Sequence, residues 1–230
     1  MPTAIVTGAS KGLGRALANG LAEQGWKLVI DARSAKDLEE TAAHLSNQTS
    51  VVAVRGDVSD PNHHFELVEA VDSLDGSVDL LVNNASTLGT TPLPQLSELD
   101  AEAFSRVLET NLVAPLRLFQ TVAGRMALGG VVINISSDAA VEAYPGWGAY
   151  GASKAGLDQL SAVLAAENPD LHVYAFDPGD MRTDMHQAAF PYEDISDRPE
   201  PESVVPALLE IITERPPSGR IRADQIAAPA

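Results

Sequence analysis

The chain has 230 residues, 45% of them apolar and 20% charged, an ordinary globular composition that excludes a disordered or low-complexity protein. Its net charge of −17 opposes a phosphate backbone, so nucleic acid is not an expected partner. The absence of cysteine excludes disulfides, thiol catalysis and cysteine-held metals, and fits a reducing cytoplasm.

Short apolar runs alternate with longer segments of helical period. Strands are predicted at Thr3–Thr7, Lys27–Asp31, Val51–Arg55, Asp79–Val82, Val131–Ile135 and His172–Phe176. They carry Val, Ile and Leu at successive positions, so both faces should be buried, as in a parallel sheet. Helices are predicted at Leu13–Gln24, Lys36–Leu45, Asn62–Ser73, Leu99–Met126 with a break near Asn111, Gly148–Ala166 and Ser203–Thr213. This alternation predicts βαβ units in one α/β domain over 1–230, a Rossmann-type doubly wound parallel sheet between two helical layers. Asp180–Pro201 is polar, proline-containing and without a clear period, which reads as a functional or mobile loop. The tail from Pro216 is weakly patterned. No apolar run is long enough to cross a bilayer. The start of the chain reads as a strand rather than a signal peptide, so a cytoplasmic protein without membrane attachment is expected.

Two constellations carry chemistry. The first strand runs into Thr7-Gly8-Ala9-Ser10-Lys11-Gly12-Leu13-Gly14 and then a helix. Glycines at Gly-x3-Gly-x-Gly spacing permit a tight turn and close approach of backbone to a diphosphate, and the helix N-terminus favours an anion. The same pattern also suits a plain strand–turn–helix. The second constellation is Ser136-Ser137 after a strand, with Tyr150-x-x-x-Lys154 beginning thirteen residues beyond Ser137. Tyr150 and Lys154 share one helix face, where an ammonium would favour the phenolate and make the phenol a workable acid or base. A surface pair is the alternative, and it weakens only because the sheet would gather Ser137 and the glycine loop at the same edge.

Together these residues resemble the short-chain dehydrogenase/reductase family. The likeness extends through Asp57-Val58, Asn83-Asn84-Ala85, Asn111 and Pro178-Gly179, in matching order from Thr3 to about Thr213. The resemblance implies an NAD(P)-dependent oxidoreductase acting on a small carbonyl or alcohol. It implies Tyr150 as general acid/base, Lys154 on the nicotinamide ribose, Ser137 orienting the substrate and the Asn111 main chain holding a relay water. It further implies Gly8, Ser10, Lys11, Gly12, Leu13, Gly14, Asp57, Val58, Asn84, Ala85, Pro178, Gly179, Met181 and Thr183 along the cofactor. It also implies a homo-oligomer, a dimer or tetramer, through the helices Asn111–Met126 and Gly148–Ala166.

Three departures stand out. Ser86 replaces the usual glycine after Asn-Asn-Ala, where it would narrow the cofactor groove or aim a hydroxyl at the substrate. Asp177 replaces the frequent asparagine before Pro-Gly. The last strand is reduced to something like Gly219–Ala223.

Cofactor choice turns on the end of the second strand. Asp31 invites an NAD reading, because an acid there binds ribose hydroxyls and repels a 2′-phosphate. The family's selecting position, however, falls on Ala32, and a shift of one residue turns a strand side chain to the other face. Arg33 and Lys11 match the basic residues of NADP-dependent members. NADP(H) is therefore the expected cofactor, with NAD(H) as the alternative. A non-catalytic dinucleotide-binding protein is the rival from another class.

No metal site is expected. The adjacent His63 and His64 point apart on a helix and read as a solvated face, as does Asp37-Leu-Glu-Glu40. His186 reads as a substrate-side or structural residue. Asp138, Tyr144, Trp147, Met185 and Phe190 are candidates to line the substrate site.

Overall fold

The computed structural model describes residues 1–226; the last four residues of the expected domain lie outside the described part. Seven strands form one parallel sheet in the order β3-β2-β1-β4-β5-β6-β7. They are β1 (Thr3–Val6), β2 (Lys27–Ala32), β3 (Val51–Arg55), β4 (Val78–Asn83), β5 (Met126–Ile135), β6 (His172–Asp177) and β7 (Gly219–Arg222). The helices are α1 (Gly12–Glu23), α2 (Ala35–Leu45), α3 (Pro61–Leu74), α4 (Ala101–Leu108), α5 (Ala114–Val122), α6 (Gly148–Glu167), α7 (Asp184–Ala189) and α8 (Val205–Glu214).

Consecutive residues of β1 are all buried, because helices cover both faces of the sheet. On one face Leu17 and Leu21 of α1 and Leu208 and Ile211 of α8 pack on Ala4, Val6, Leu28 and Ile30. On the other, Leu67 and Val71 of α3, Leu118 of α5 and Leu164 of α6 pack on Ile5, Val29 and Leu81. Truncating one such leucine to alanine would cost about 2–5 kcal/mol. Helix starts follow their local chemistry: Ser34 accepts from the Asp37 amide at α2, Asp60 with Pro61 opens α3, and Asp100 accepts from the Ala103 amide at α4.

The structure refines four expectations. The segment expected as one broken helix over 99–126 divides into α4, a π-helical turn at Glu109–Val113 that contains Asn111, and α5. β5 then begins at Met126, five residues before its expected start, so Met126 is strand rather than helix. The reduced last strand expected at about Gly219–Ala223 is β7, which pairs parallel with β6. The 180–201 segment holds the short helix α7, whose Thr183 accepts from the His186 amide at 3.2 Å.

The strand order reverses between β1 and β4. Loops leaving the carboxyl ends of these strands diverge there and open a crevice.

Candidate active site

The glycine loop is shaped by backbone geometry that side chains would prevent. Gly8 and Gly12 have φ of +66° and +54°. A Cβ on Gly8 would lie 2.9 Å from the Ala85 Cα, and one on Gly14 would strike the Asn84 amide and the Gly8 carbonyl. Thr7 ties this loop to β4: its hydroxyl accepts from the Asn84 and Ala85 amides, each at 3.0 Å. The Asn84 side chain turns back into the loop and donates to the carbonyls of Thr7 at 2.8 Å and Gly8 at 3.2 Å. Asn84 thus braces the loop, and it borders the crevice together with Ala85. Ser10 and Leu13 are largely buried, while Lys11 is exposed and pairs with Asp184 of α7 at 2.9 Å across the opening. The whole cleft has a volume of about 970 Å³ and runs from Arg33 and Asp57 to Tyr150 and Trp147.

At its deep end α6 presents Tyr150 and Lys154, both almost fully buried. The Lys154 ammonium lies 5.5 Å from the Tyr150 ring centroid and donates to the Ile135 carbonyl at 2.7 Å. Burial lowers the Lys154 pKa to about 8, against the opposing charge of Asp158. Burial likewise pushes the Tyr150 phenol up to about 12; hydrogen bonds with Ser137 and Ser86 pull it down, and the charges of Asp138 and Asp177 push it up. The expected drop of the phenol toward neutrality is therefore not produced by the protein groups alone, since loss of hydration outweighs them.

Ser137 extends from the end of β5; its hydroxyl donates to Asp138 at 2.9 Å and caps the short turn that follows. Asn111 is buried in the π-helical turn. Its Oδ1 accepts from the Thr87 amide at 2.8 Å and the Ser86 hydroxyl at 3.1 Å, and its Nδ2 donates to Ser153 at 3.0 Å. The Ser86 hydroxyl thus turns to Asn111 and the phenol. Only the departure from glycine marked this residue in the sequence.

Toward the other end, Asp57 is held by the Ser59 amide at 2.9 Å and hydroxyl at 2.8 Å. Burial alone would raise its pKa, but Ser59 together with the charges of Arg33 and His63 leaves it lowered. Val58 is buried beside it, and Arg33 is exposed at the rim. Pro178, Gly179, Met181 and Thr183 line the facing wall.

Asp31 points inward. One oxygen accepts from the Gly8 amide at 2.7 Å and the other meets His63 Nε2 at 2.9 Å. This corrects the reading of His63 and His64 as a solvated face: both are buried, because helix α3 turns them toward β2 and the loop after β3. Burial opposes charge on His63, but Asp31 and Glu66 outweigh it and raise its pKa. His64 is lowered by burial and donates to the Val58 carbonyl at 2.7 Å. The Asp37–Glu40 face is exposed apart from buried Leu38.

The wall of the cleft beside Tyr150 is aromatic. Trp147 meets the Tyr150 ring edge-on at 5.5 Å and Phe190 at 5.9 Å, and His186 lies on Phe190 at 4.9 Å. Met185 and Leu88 pack in the same cluster. The Tyr144 hydroxyl lies 2.9 Å from a carboxylate oxygen of Asp138 and of Glu142, which share its one proton. A smaller cavity of about 300 Å³, bounded by Pro92, Leu93, Pro145, Trp147 and Phe190, adjoins this cluster.

The family model for short chain dehydrogenases matches residues 2–194. A short-chain type dehydrogenase/reductase of Picea abies is 32% identical over 194 residues, covering 79% of this chain and 71% of that protein. Sepiapterin reductase of Mus musculus is 36% identical over 202 residues, covering 80% and 76%. Among solved structures, a short chain dehydrogenase of Shigella flexneri complexed with NADP superposes with a TM-score of 0.88 at 26% identity, over 97% of each chain.

Proposed function

We propose that the chain is an NADPH-preferring reductase of neutral, apolar carbonyl compounds, and the premise is plain: it belongs to the short-chain dehydrogenase family and is an oxidoreductase acting on CH–OH or C=O groups with a nicotinamide cofactor. The observation that carries the reading is a buried phenol with a serine hydroxyl and an ammonium beside it, at the end of a glycine-lined cleft. A nicotinamide cofactor, when bound, supplies the hydride. Gly8, Gly12 and Gly14 would hold its diphosphate, Asp57 the adenine, and Lys154 the nicotinamide ribose. The fit rests on a loop with no room for Cβ atoms and on the facing wall of Met181 and Thr183.

In this reading Ser137 releases Asp138 and donates to the substrate carbonyl oxygen. Tyr150 then transfers its proton to that oxygen. A phenol with a pKa near 12 is protonated at neutral pH, which suits an acid in the reductive direction. Asn111 would replenish the proton through a water on its main chain, in a π-helical turn whose carbonyls leave the regular α-helical pattern.

Two observations support the finer assignments. Although Asp31 borders the cleft, both of its oxygens are engaged by the Gly8 amide and His63, while Arg33 is exposed at the rim for a 2′-phosphate. That end of the cleft is lined by Trp147, Met185, Leu88 and Asp138, with Phe190 packed against Trp147 and Glu142 joined to Asp138 through Tyr144, a setting that favours uncharged or cationic over anionic substrates.

The test is a panel of aryl ketones, diketones, small aliphatic ketones and anionic acyl thioesters, each with NADPH and NADH, followed by nicotinamide absorbance. Aryl ketones with NADPH should give the highest kcat/KM. Tyr150→Phe should lose at least about a hundredfold in kcat, the typical contribution of acid–base catalysis. A variant that kept more than a tenth of parent activity would refute the role of Tyr150.

A further inference from the structure

We propose that Arg220, on the short strand β7, is a positioning residue that holds the back of the Ser137–Tyr150–Lys154 site and neutralises Asp177 beside it. The inference rests on the reductase reading above.

One guanidinium reaches three elements. Its Nε donates to Asp158 Oδ2 on α6 at 2.9 Å, and its Nη2 donates to Asp177 Oδ2 at the end of β6 at 2.8 Å and to the Ser137 carbonyl at 3.1 Å. Each carboxylate has a second task. Asp158 accepts from the Ser136 hydroxyl, and Asp177 accepts from the Gly179 amide at 3.1 Å. Asp158 stands one helical turn beyond Lys154, Ser136 precedes Ser137, and Gly179 opens the loop that faces the cleft. Asp177 is buried, and the Arg220 side chain is only 26% exposed, so these charges act through protein rather than bulk water. A buried carboxylate lining the same cleft as the reacting phenol opposes phenolate formation, and the arginine fork cancels that charge while fixing the serine main chain.

The groups that face the phenol are Lys154 on its own helix, Asp138 after β5, Asp177 after β6, and the uncharged Ser137 and Ser86. His186 of α7 stands two rings away, through Phe190 and Trp147. Of the three charged groups, Asp177 alone is paired with an arginine.

The experiment is the pH profile of kcat/KM for alcohol oxidation, which requires the phenolate, in Arg220→Met, Asp177→Asn and the double variant. Arg220→Met should move the apparent pKa up by about one unit. Asp177→Asn should move it down, and the double variant should return it toward the parent. Arg220→Lys, which keeps the charge but loses the fork, should leave the profile in place and raise the KM for the carbonyl. A purely structural arginine would lower activity without moving the profile, and neutralising Asp177 would then rescue nothing. If Arg220→Met does not fold, the isosteric Asp177→Asn decides alone, and an unmoved profile overturns the proposal. An active parent with unmoved profiles refutes this inference only. A parent inactive on every alcohol and carbonyl refutes the reductase reading, and the inference with it.

Discussion

Removing His63 should expose the cost of an isolated buried acid. Asp31 and His63 are 1% and 2% exposed, and the imidazole is the carboxylate's partner at 2.9 Å. His63→Leu keeps roughly the volume but strands Asp31, and breaking a buried pair in this way costs about 3–5 kcal/mol. For a chain of this size each kcal/mol shifts Tm by about 2–4 °C, so the expected loss is about 6–20 °C. The sign of the pH dependence follows from the raised His63 pKa. The pair's contribution is fully present below the unfolded histidine value of about 6.5 and is lost as pH rises through the raised folded value. Thermal unfolding of parent and variant at pH 6 and pH 9 tests this. The gap in Tm should be wide at pH 6 and narrower at pH 9, because the remaining carboxylates affect both proteins alike. Because Asp31 also accepts from the Gly8 amide, the variant should bind NADPH more weakly. A Tm within 2 °C of the parent at pH 6, with an unchanged gap at pH 9, would refute the reasoning.

Arg33→Ala should raise the NADPH Kd by about 10–100-fold, the worth of a charge-assisted contact, and leave NADH unchanged; fluorescence titration with both cofactors decides it. Lys154→Ala should lower both kcat and cofactor affinity, since one ammonium serves the phenol and the ribose; equal NADPH affinity in parent and variant would remove the second role. Limited proteolysis should cut first within 180–201, and NADP(H) should protect that segment, which is joined to the glycine loop by the exposed Lys11–Asp184 pair. The outer face of α6 exposes Ala152, Ala155, Ala162, Val163 and Ala166, a surface suited to helix packing against a second copy. Light scattering should therefore report at least a dimer, and a monomer would count against that assembly.

Much of the molecule was legible before its structure. The Val, Ile and Leu runs marked six of the strands because a buried parallel strand needs apolar side chains on both faces. The spacing of Gly8, Gly12 and Gly14, and of Ser137, Tyr150 and Lys154, located the cleft because turn geometry and helical pitch are local rules. What remained hidden depended on residues distant in the chain. β7 is short and half-polar, so its period does not mark it; only the family resemblance placed it, and it is a strand because β6 offers it an edge. His63 read as solvated because its partner lies 32 positions earlier. Arg220 reaches the Ser137 carbonyl across 83 positions. The glycine missing at position 86 flagged Ser86, but the closure of β4 against the π-helical turn decided that its hydroxyl meets Asn111. Local sequence sets periodicity, caps and turns, because those depend on neighbours within a few residues. The partner of a buried charge, and with it the pKa of Tyr150 and the inward direction of Asp31, is decided only when distant strands come together and exclude water.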